Sequence, residues 1–185
     1  PEEMITPEMR SAAKAVNFGI IYGIGAFSLS KDINVSVYEA KKYINDYLHK
    51  FPNVEKFMNE TVEKAKKDGY VTTMFGRKRY VPELSASNKN MQAAGKRIAM
   101  NTPIQGSAAD IIKIAMVRVY GRLKKEIPEA RLILQVHDEL IVECPEAMAE
   151  QAARLLTEEM EGVMQLSVPL VAEAHWGKNW LEAKG

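Results

Sequence analysis

Along most of the chain apolar residues recur at every third or fourth position, the helical period, and in a few places that period gives way to short alternating runs. Thr6-Pro7-Glu8 is a helix start, with a hydroxyl to cap, a proline at the first turn and a carboxylate near the positive dipole end. The helix it opens carries Ala12, Ala13, Val16 and Ile20 on one side, small or aliphatic residues suited to packing. Arg10, Lys14, Phe18 and Tyr22 repeat every fourth residue on the other side, within an arc of roughly 120°. Ile24 to Ser30, rich in small residues, reads as the turn that ends this helix.

Ser36-Val37-Tyr38-Glu39 is a capping box, and the helix behind it bears Ala40, Tyr43, Ile44, Tyr47 and Leu48 on its apolar stripe. A further helix runs from about Val54 to Asp68-Gly69 with Phe57, Met58, Val62 and Ala65 inward. Tyr70 to Phe75 and Arg79 to Val81 then change period and predict a short β-ribbon turned at Gly76, with Arg77-Lys78-Arg79 in or beside the turn. A helix around Lys89 to Met100 follows, and Pro103 predicts a break before the amphipathic helix of Ser107 to Glu126. On that second helix Ile111, Ile112, Ala115, Val119 and Leu123 face a core and Asp110 is expected exposed or pairing locally. Leu132 to Val136 and Leu140 to Cys144 read as a hairpin with His137-Asp138-Glu139 at its tip. Pro145 opens an acidic helix to about Met164, Ser167 to His175 reads as a last strand, and Trp176 and Trp180 are expected to anchor packing.

Composition adds bounds rather than direction. Hydrophobic residues at 46% and charged residues at 26% are ordinary for a globular protein large enough to bury a core. A formal net charge of +1 argues against a dedicated nucleic-acid coat, but the charge is unevenly spread. Lys64 to Arg97 is strongly basic and Glu143 to Glu161 mostly acidic, as in a protein that meets phosphates on one surface. The lone Cys144 cannot form an internal disulfide, and no Cys/His spacing suggests zinc. No signal-length or membrane-length apolar run appears, so a cytoplasmic protein with no membrane partner is expected. A start on Pro1, almost directly in the first helix, suggests a piece of a longer chain.

The chemistry lies in four groups. Arginine offers a planar fork for phosphate oxygens, lysine a point charge and an aromatic ring a face for a nucleobase or sugar. Arg10, Lys14, Phe18 and Tyr22 thus make a seat for a nucleoside triphosphate, or simply an amphipathic helix with solvated cations. Arg79 on the ribbon can hold a nucleic-acid backbone. Arg97, Asn101 and Gln105 repeat every fourth residue, with one cation and two amides suited to base edges, sugars and phosphates. Asp138 and Glu139 are adjacent carboxylates, hard oxygen donors that suit Mg²⁺, in a tip without ordinary turn residues. Gly23-Ile24-Gly25 is not a phosphate loop, since it neither follows a strand nor has the fuller glycine spacing.

Taken in order, Arg10-x3-Lys14-x3-Phe18-Gly19-x2-Tyr22-Gly23 closely resembles the fingers-helix motif of family A DNA polymerases, and Gln135-Val136-His137-Asp138-Glu139 is similar to that family's palm motif. The run Tyr70-Val71-x-Thr73 to Tyr80-x-Pro82 resembles a family segment near the boundary of fingers and palm, and Arg97-x3-Asn101-x-Pro103-x-Gln105-Gly106 resembles one that touches template and primer. The resemblance covers essentially the whole chain and implies an α+β fold. Residues 1–91 would belong to a helical fingers subdomain, and 92–185 to a palm with an antiparallel sheet and packed helices. It implies template-directed addition of dNTPs to a primer 3′ end with two Mg²⁺ ions, the partners being primer-template DNA and dNTP.

The roles implied are Arg10 and Lys14 on the triphosphate, Lys14 also neutralising pyrophosphate, and Phe18 against the incoming sugar and base. Tyr22 and Gly23 would lie at the templating base. Arg79, Arg97, Asn101, Gln105 and His137 would touch DNA, Asp138 would ligate metal and Glu139 would assist. Ser11 stands where many relatives have a second arginine. The family's other palm aspartate lies upstream of the fingers helix and is not among these residues, so the chain alone is expected to be inactive without its missing N-terminal part. Two alternatives remain: a non-catalytic DNA- or nucleotide-binding fragment, and part of a phage-type single-subunit RNA polymerase.

Overall fold

The computed structural model describes residues 4–184, so the expectations attached to Pro1 and Gly185 lie outside the described residues. Among them are seven α-helices and two antiparallel strand pairs, an α+β architecture. The chain divides into two compact units, Pro1–Gly106 and Ser107–Gly185. That division lies beyond residue 91, because residues after it still pack into the first unit's core.

In the first unit α1 (Pro7–Ile21) starts as expected, Thr6 Oγ1 accepting from the Met9 amide. It ends in a Schellman motif: the Gly23 amide donates to Ile20 O and the Ile24 amide to Gly19 O, with Gly23 at φ 78°. The stretch expected to be only a turn contains α2 (Ala26–Asp32), capped by Gly25 without a side-chain bond and buried through Leu29 and Ser30. The capping box of α3 (Val37–Lys50) is complete, and Tyr47 Oη donates to Asn17 Oδ1 at 2.7 Å, tying α3 to α1. Tyr43, expected on the buried stripe, is exposed. Next comes α4 (Pro52–Asp68), which closes on Gly69 in the left-handed conformation. There β1 (Tyr70–Thr72) pairs with β2 (Lys78–Tyr80), the turn passing through Gly76 at φ 79°. A core of Val62, Ala65, Val71, Val81, Leu84, Ala99 and Met100 joins this ribbon to its neighbouring helices.

The next element departs from expectation. α5 (Lys89–Glu126) is one helix with Pro103 inside it. Proline lacks the N–H that would bond the carbonyl four residues back, a loss of about 3 kcal/mol when nothing compensates. Packing holds the helix through this point: Ala99, Met100 and Thr102 are all buried. As a result Arg97, Asn101 and Gln105 do share one helix.

The second unit is built on the later half of α5, with β3 (Arg131–Val136), β4 (Glu139–Glu143) and α6 (Ala149–Glu161) around Val119, Leu123, Ile127, Ala130, Ala152 and Leu155. Asp110 is buried, 8% exposed, on the face that also buries Ser107. Residues 167–175 form no strand, for alternation needs a ladder partner and none exists among the described residues; Val168 and Val171 are exposed. Trp176 and Trp180 are exposed too, the latter opening the short α7 (Trp180–Ala183), so they are not packing anchors.

Candidate nucleotide and nucleic-acid site

The residues singled out by their chemistry fall into both units. In the first, Arg10, Lys14 and Phe18 are exposed on one face of α1, while Ile20 on the other face is buried at 2% exposure. Neither the Arg10 guanidinium nor the Lys14 ammonium makes a hydrogen bond or ion pair among the described residues. Phe18 and Tyr22 stack at 6.1 Å between centroids, 28° apart. Tyr22 is the C-cap residue of α1, and the Schellman turn sets its direction.

A cleft of about 440 Å³ opens at this helix end, lined by Gly19, Tyr22, Gly23, Ile24, Gly25, Ser28 and Arg97. It brings together Tyr22 and Arg97, which belong to two different motifs of the sequence. Gly23 makes the close approach possible: a Cβ there would lie 2.5 Å from Met100 Cε and 3.3 Å from Arg97 Cγ. Ser28 was missed because its segment read as a turn; the signal was Gly25 as a permitted N-cap before Ala26 and Leu29 at helical spacing.

On α5, Arg97 and Gln105 are exposed and Asn101 is half-buried, its Oδ1 buried without a hydrogen-bond partner. Leaving such an acceptor without a partner costs about 1–3 kcal/mol. Arg79 is exposed, but its Nη1 donates to Thr102 Oγ1 at 3.4 Å, and Arg77 Nη2 donates to Gly106 O at 3.1 Å. Local sequence signals did not single out Thr102 and placed Gly106 only within a family motif; both matter through packing across a long sequence separation.

In the second unit the hairpin tip is tighter than expected. Val136 pairs with Glu139, leaving His137 and Asp138 as a two-residue turn and Glu139 as the first residue of β4. His137 sits at φ 55°, a left-handed conformation uncommon outside glycine, and its carbonyl accepts from Gln135 Nε2 at 2.8 Å. Strain of this kind persists only where the surroundings impose it. The Asp138 carboxylate is exposed and has no hydrogen bond or ion pair among the described residues, whereas Glu139 Oε1 lies 4.0 Å from Lys184 Nζ. No group of three or more His, Cys, Asp or Glu able to hold a metal exists among the described residues. One or two carboxylates, completed by water and phosphate oxygens, are nevertheless the usual protein share of a Mg²⁺ shell, and Asp138 with Glu139 fits that share.

The sequence model of DNA polymerase family A matches residues 1–182. The chain belongs to DNA polymerase family A. It is 50% identical over 183 residues to DNA polymerase I of Bacillus caldotenax, covering 99% of this chain and 21% of that protein. Against the thermostable DNA polymerase I of Thermus aquaticus the identity is 47% over 184 residues, covering 100% of this chain and 22% of that protein. Among solved structures, the POL domain of Pol1 from M. smegmatis, in complex with DNA primer-template and dNTP, is similar at a TM-score of 0.94 and 40% identity. That match covers 100% of this chain and 33% of the other. The family A chain thus spans about a fifth of the length of the curated relatives it matches. No helix of its described residues is long and apolar enough to cross a membrane.

Proposed function

We propose that this chain is the fingers and C-terminal palm portion of a DNA polymerase that adds dNTPs to a primer 3′ end on a DNA template. The observation that carries the proposal is the α1 face. Two cations without partners among the described residues and a stacked aromatic pair line up along a helix that buries Ile20 on its other side. Arg10 clamps the triphosphate through its fork and Lys14 places a point charge where the pyrophosphate departs. Phe18 packs on the incoming sugar and base. Tyr22 and Gly23, at the cleft, border the templating base, and the left-handed turn at Gly23 leaves the room that base needs. Arg97, Asn101 and Gln105 meet the primer-template duplex along one side of α5, and His137 reaches the primer terminus.

Asp138 would hold Mg²⁺, with Glu139 beside it. When bound, a pair of Mg²⁺ ions supplies activation of the primer hydroxyl and charge neutralisation at the leaving oxygens. Asp138 and Glu139 are too few to hold two ions, so the 185-residue chain alone is inactive and the intact protein supplies further carboxylate. A reducing cytoplasmic setting fits the lone Cys144, half-buried, with burial pushing its thiol pKa up.

The test is primer extension with Mg²⁺ and all four dNTPs, comparing this chain with the intact protein that carries it. Extension by the intact protein only is the expected result. Extension by the 185-residue chain refutes the incomplete donor set. If neither extends a primer although both are folded, the motifs serve binding without turnover.

A further inference from the structure

The β1–β2 ribbon sits on α5 at the place where that helix is weakest. Pro103 removes one rung of the ladder, and the residues flanking it on one side of the helix, Thr102 and Gly106, are both engaged by the ribbon. Arg79 Nη1 donates to Thr102 Oγ1 at 3.4 Å, and that hydroxyl in turn donates to Ile98 O at 2.7 Å. Arg77 Nη2 donates to Gly106 O at 3.1 Å. The approach is close enough that a Cβ on Gly106 would meet Thr73 Cγ2 at 2.7 Å. Thr73 is itself buried, 5% exposed, and its hydroxyl accepts from the amides of Phe75 and Arg77. The turn that carries Arg77 is therefore rigid at its base.

We infer that Arg77 and Arg79 are positioning residues: by bracing α5 on both sides of Pro103 they fix the directions of Asn101 and Gln105, each one residue before a braced position. This rests on the polymerase reading for its consequence at DNA, and on geometry alone for the brace. The chemistry favours it over a phosphate contact by the same arginines. Each guanidinium commits one of its five N–H donors to α5, which fixes the direction of its side chain, and both contacts land on one helix side, four residues apart. A helix lacking a rung at Pro103 would otherwise sample bent forms, and the amides of Asn101 and Gln105 would swing relative to Arg97. The ligand class concerned is the duplex at the primer terminus, read by amide side chains that discriminate only when held still.

The experiment uses the intact protein with Arg77→Met, Arg79→Met, Thr102→Val and the Arg79→Met/Thr102→Val double variant. Thr102→Val is nearly isosteric, changes no charge and keeps the test valid if an arginine variant does not fold. Three readouts are taken: amide exchange of residues 104–110 without DNA, the ratio of matched to mismatched primer-terminus extension, and the salt slope of primer-template binding. Faster exchange by about tenfold is expected for each single variant. Discrimination should fall several-fold for each, the double variant being no worse than Arg79→Met alone, and the salt slope should stay within experimental error. A salt slope reduced by about one unit per arginine, with exchange unchanged, makes them phosphate contacts and overturns the brace. Additive losses in the double variant also overturn it. Should the parent neither bind nor extend primer-template, the polymerase reading fails on its own, while amide exchange still decides the brace.

Discussion

Gly23 should be irreplaceable for two separable reasons, and a paired substitution separates them. Both Gly23 and Gly76 are left-handed, at φ 78° and 79°. At Gly76 an added Cβ meets nothing within 4 Å, whereas at Gly23 it meets Met100 Cε at 2.5 Å and Arg97 Cγ at 3.3 Å. Forcing alanine into the left-handed region costs about 1–2 kcal/mol, offset by about 0.4–1 kcal/mol because alanine restricts the unfolded chain. Gly76→Ala should therefore destabilise by about 1 kcal/mol. Gly23→Ala carries the same term and must also displace Met100, a core side chain 9% exposed. Overpacking costs about 1–3 kcal/mol, at the low end here because the clashing atom is the far end of a flexible thioether. The total is about 2–3 kcal/mol. Urea unfolding, followed by exchange of the Val62, Ala65 and Ala99 amides of the same unit, measures both. Equal losses for the two variants would refute the contact argument, and a loss under about 0.5 kcal/mol at Gly76 would refute the backbone argument.

In the intact protein Lys14→Ala should lose about 10²–10³ in extension rate, by analogy with removing a preorganised transition-state donor; steady-state kinetics showing less than a threefold loss would remove its assigned role. Ser36→Ala breaks a capping box whose Glu39 amide donates to Ser36 Oγ at 3.2 Å, and should cost about 1 kcal/mol in denaturant unfolding. Ser36 also holds the Glu39 carboxyl below its ordinary value of 4.5 by side-chain and then backbone hydrogen bonds. A lowered folded pKa stabilises above the unfolded value, so this contribution should fade as pH drops below about 4.5 through the lower folded value, and the fading should shrink in Ser36→Ala, which keeps only the backbone N–H bond to Glu39 Oε2. Gly95→Ala places a Cβ 2.8 Å from the Leu84 backbone nitrogen and 3.0 Å from Glu83 C. Backbone cannot yield as a side chain can, so the variant should be destabilised in thermal unfolding despite alanine's better helix propensity of about 1 kcal/mol.

The elements read correctly from sequence are those whose signals are local. Thr6-Pro7 and Ser36…Glu39 make their caps from residues three apart, and the structure contains both bonds. What failed was decided at a distance. Pro103 obeys a local rule that predicts a break, but tertiary seating of Thr102 and Gly106 on the ribbon carries α5 through it. Residues 167–175 alternate like a strand, yet a strand exists only through its partner. The helix Ala26–Asp32 was hidden by a cap with no side-chain bond. At the candidate site, residue types and their order sufficed to group Arg10 with Lys14 and Asp138 with Glu139. That Tyr22 and Arg97 line one cleft follows only from the fold.

Cations of one chemical type stand in different surroundings in this chain. Arg122 donates to Glu126, Glu158 and Glu159 at once, knitting α5 to α6, so its charge is spent inside the protein. Lys64 pairs with Asp68, Lys66 with Glu63 and Lys56 with Glu60 one turn away, on the same helix as their partners. Around Arg10 and Lys14 the described part of α1 offers one carboxylate, Glu8, and that group is turned to the helix start, its pKa held down by backbone and Thr6 hydrogen bonds. The rest of the helix is neutral through Tyr22. Two cations one turn apart on an exposed face, with no ion-pair partner among the described residues, repel each other by about 1 kcal/mol or less at surface dielectric, and a polyanion would relieve that repulsion. The lysines and arginines thus divide into those paired within the fold and those, Arg10 and Lys14 among them, with no ion-pair partner among the described residues, a division that composition cannot express.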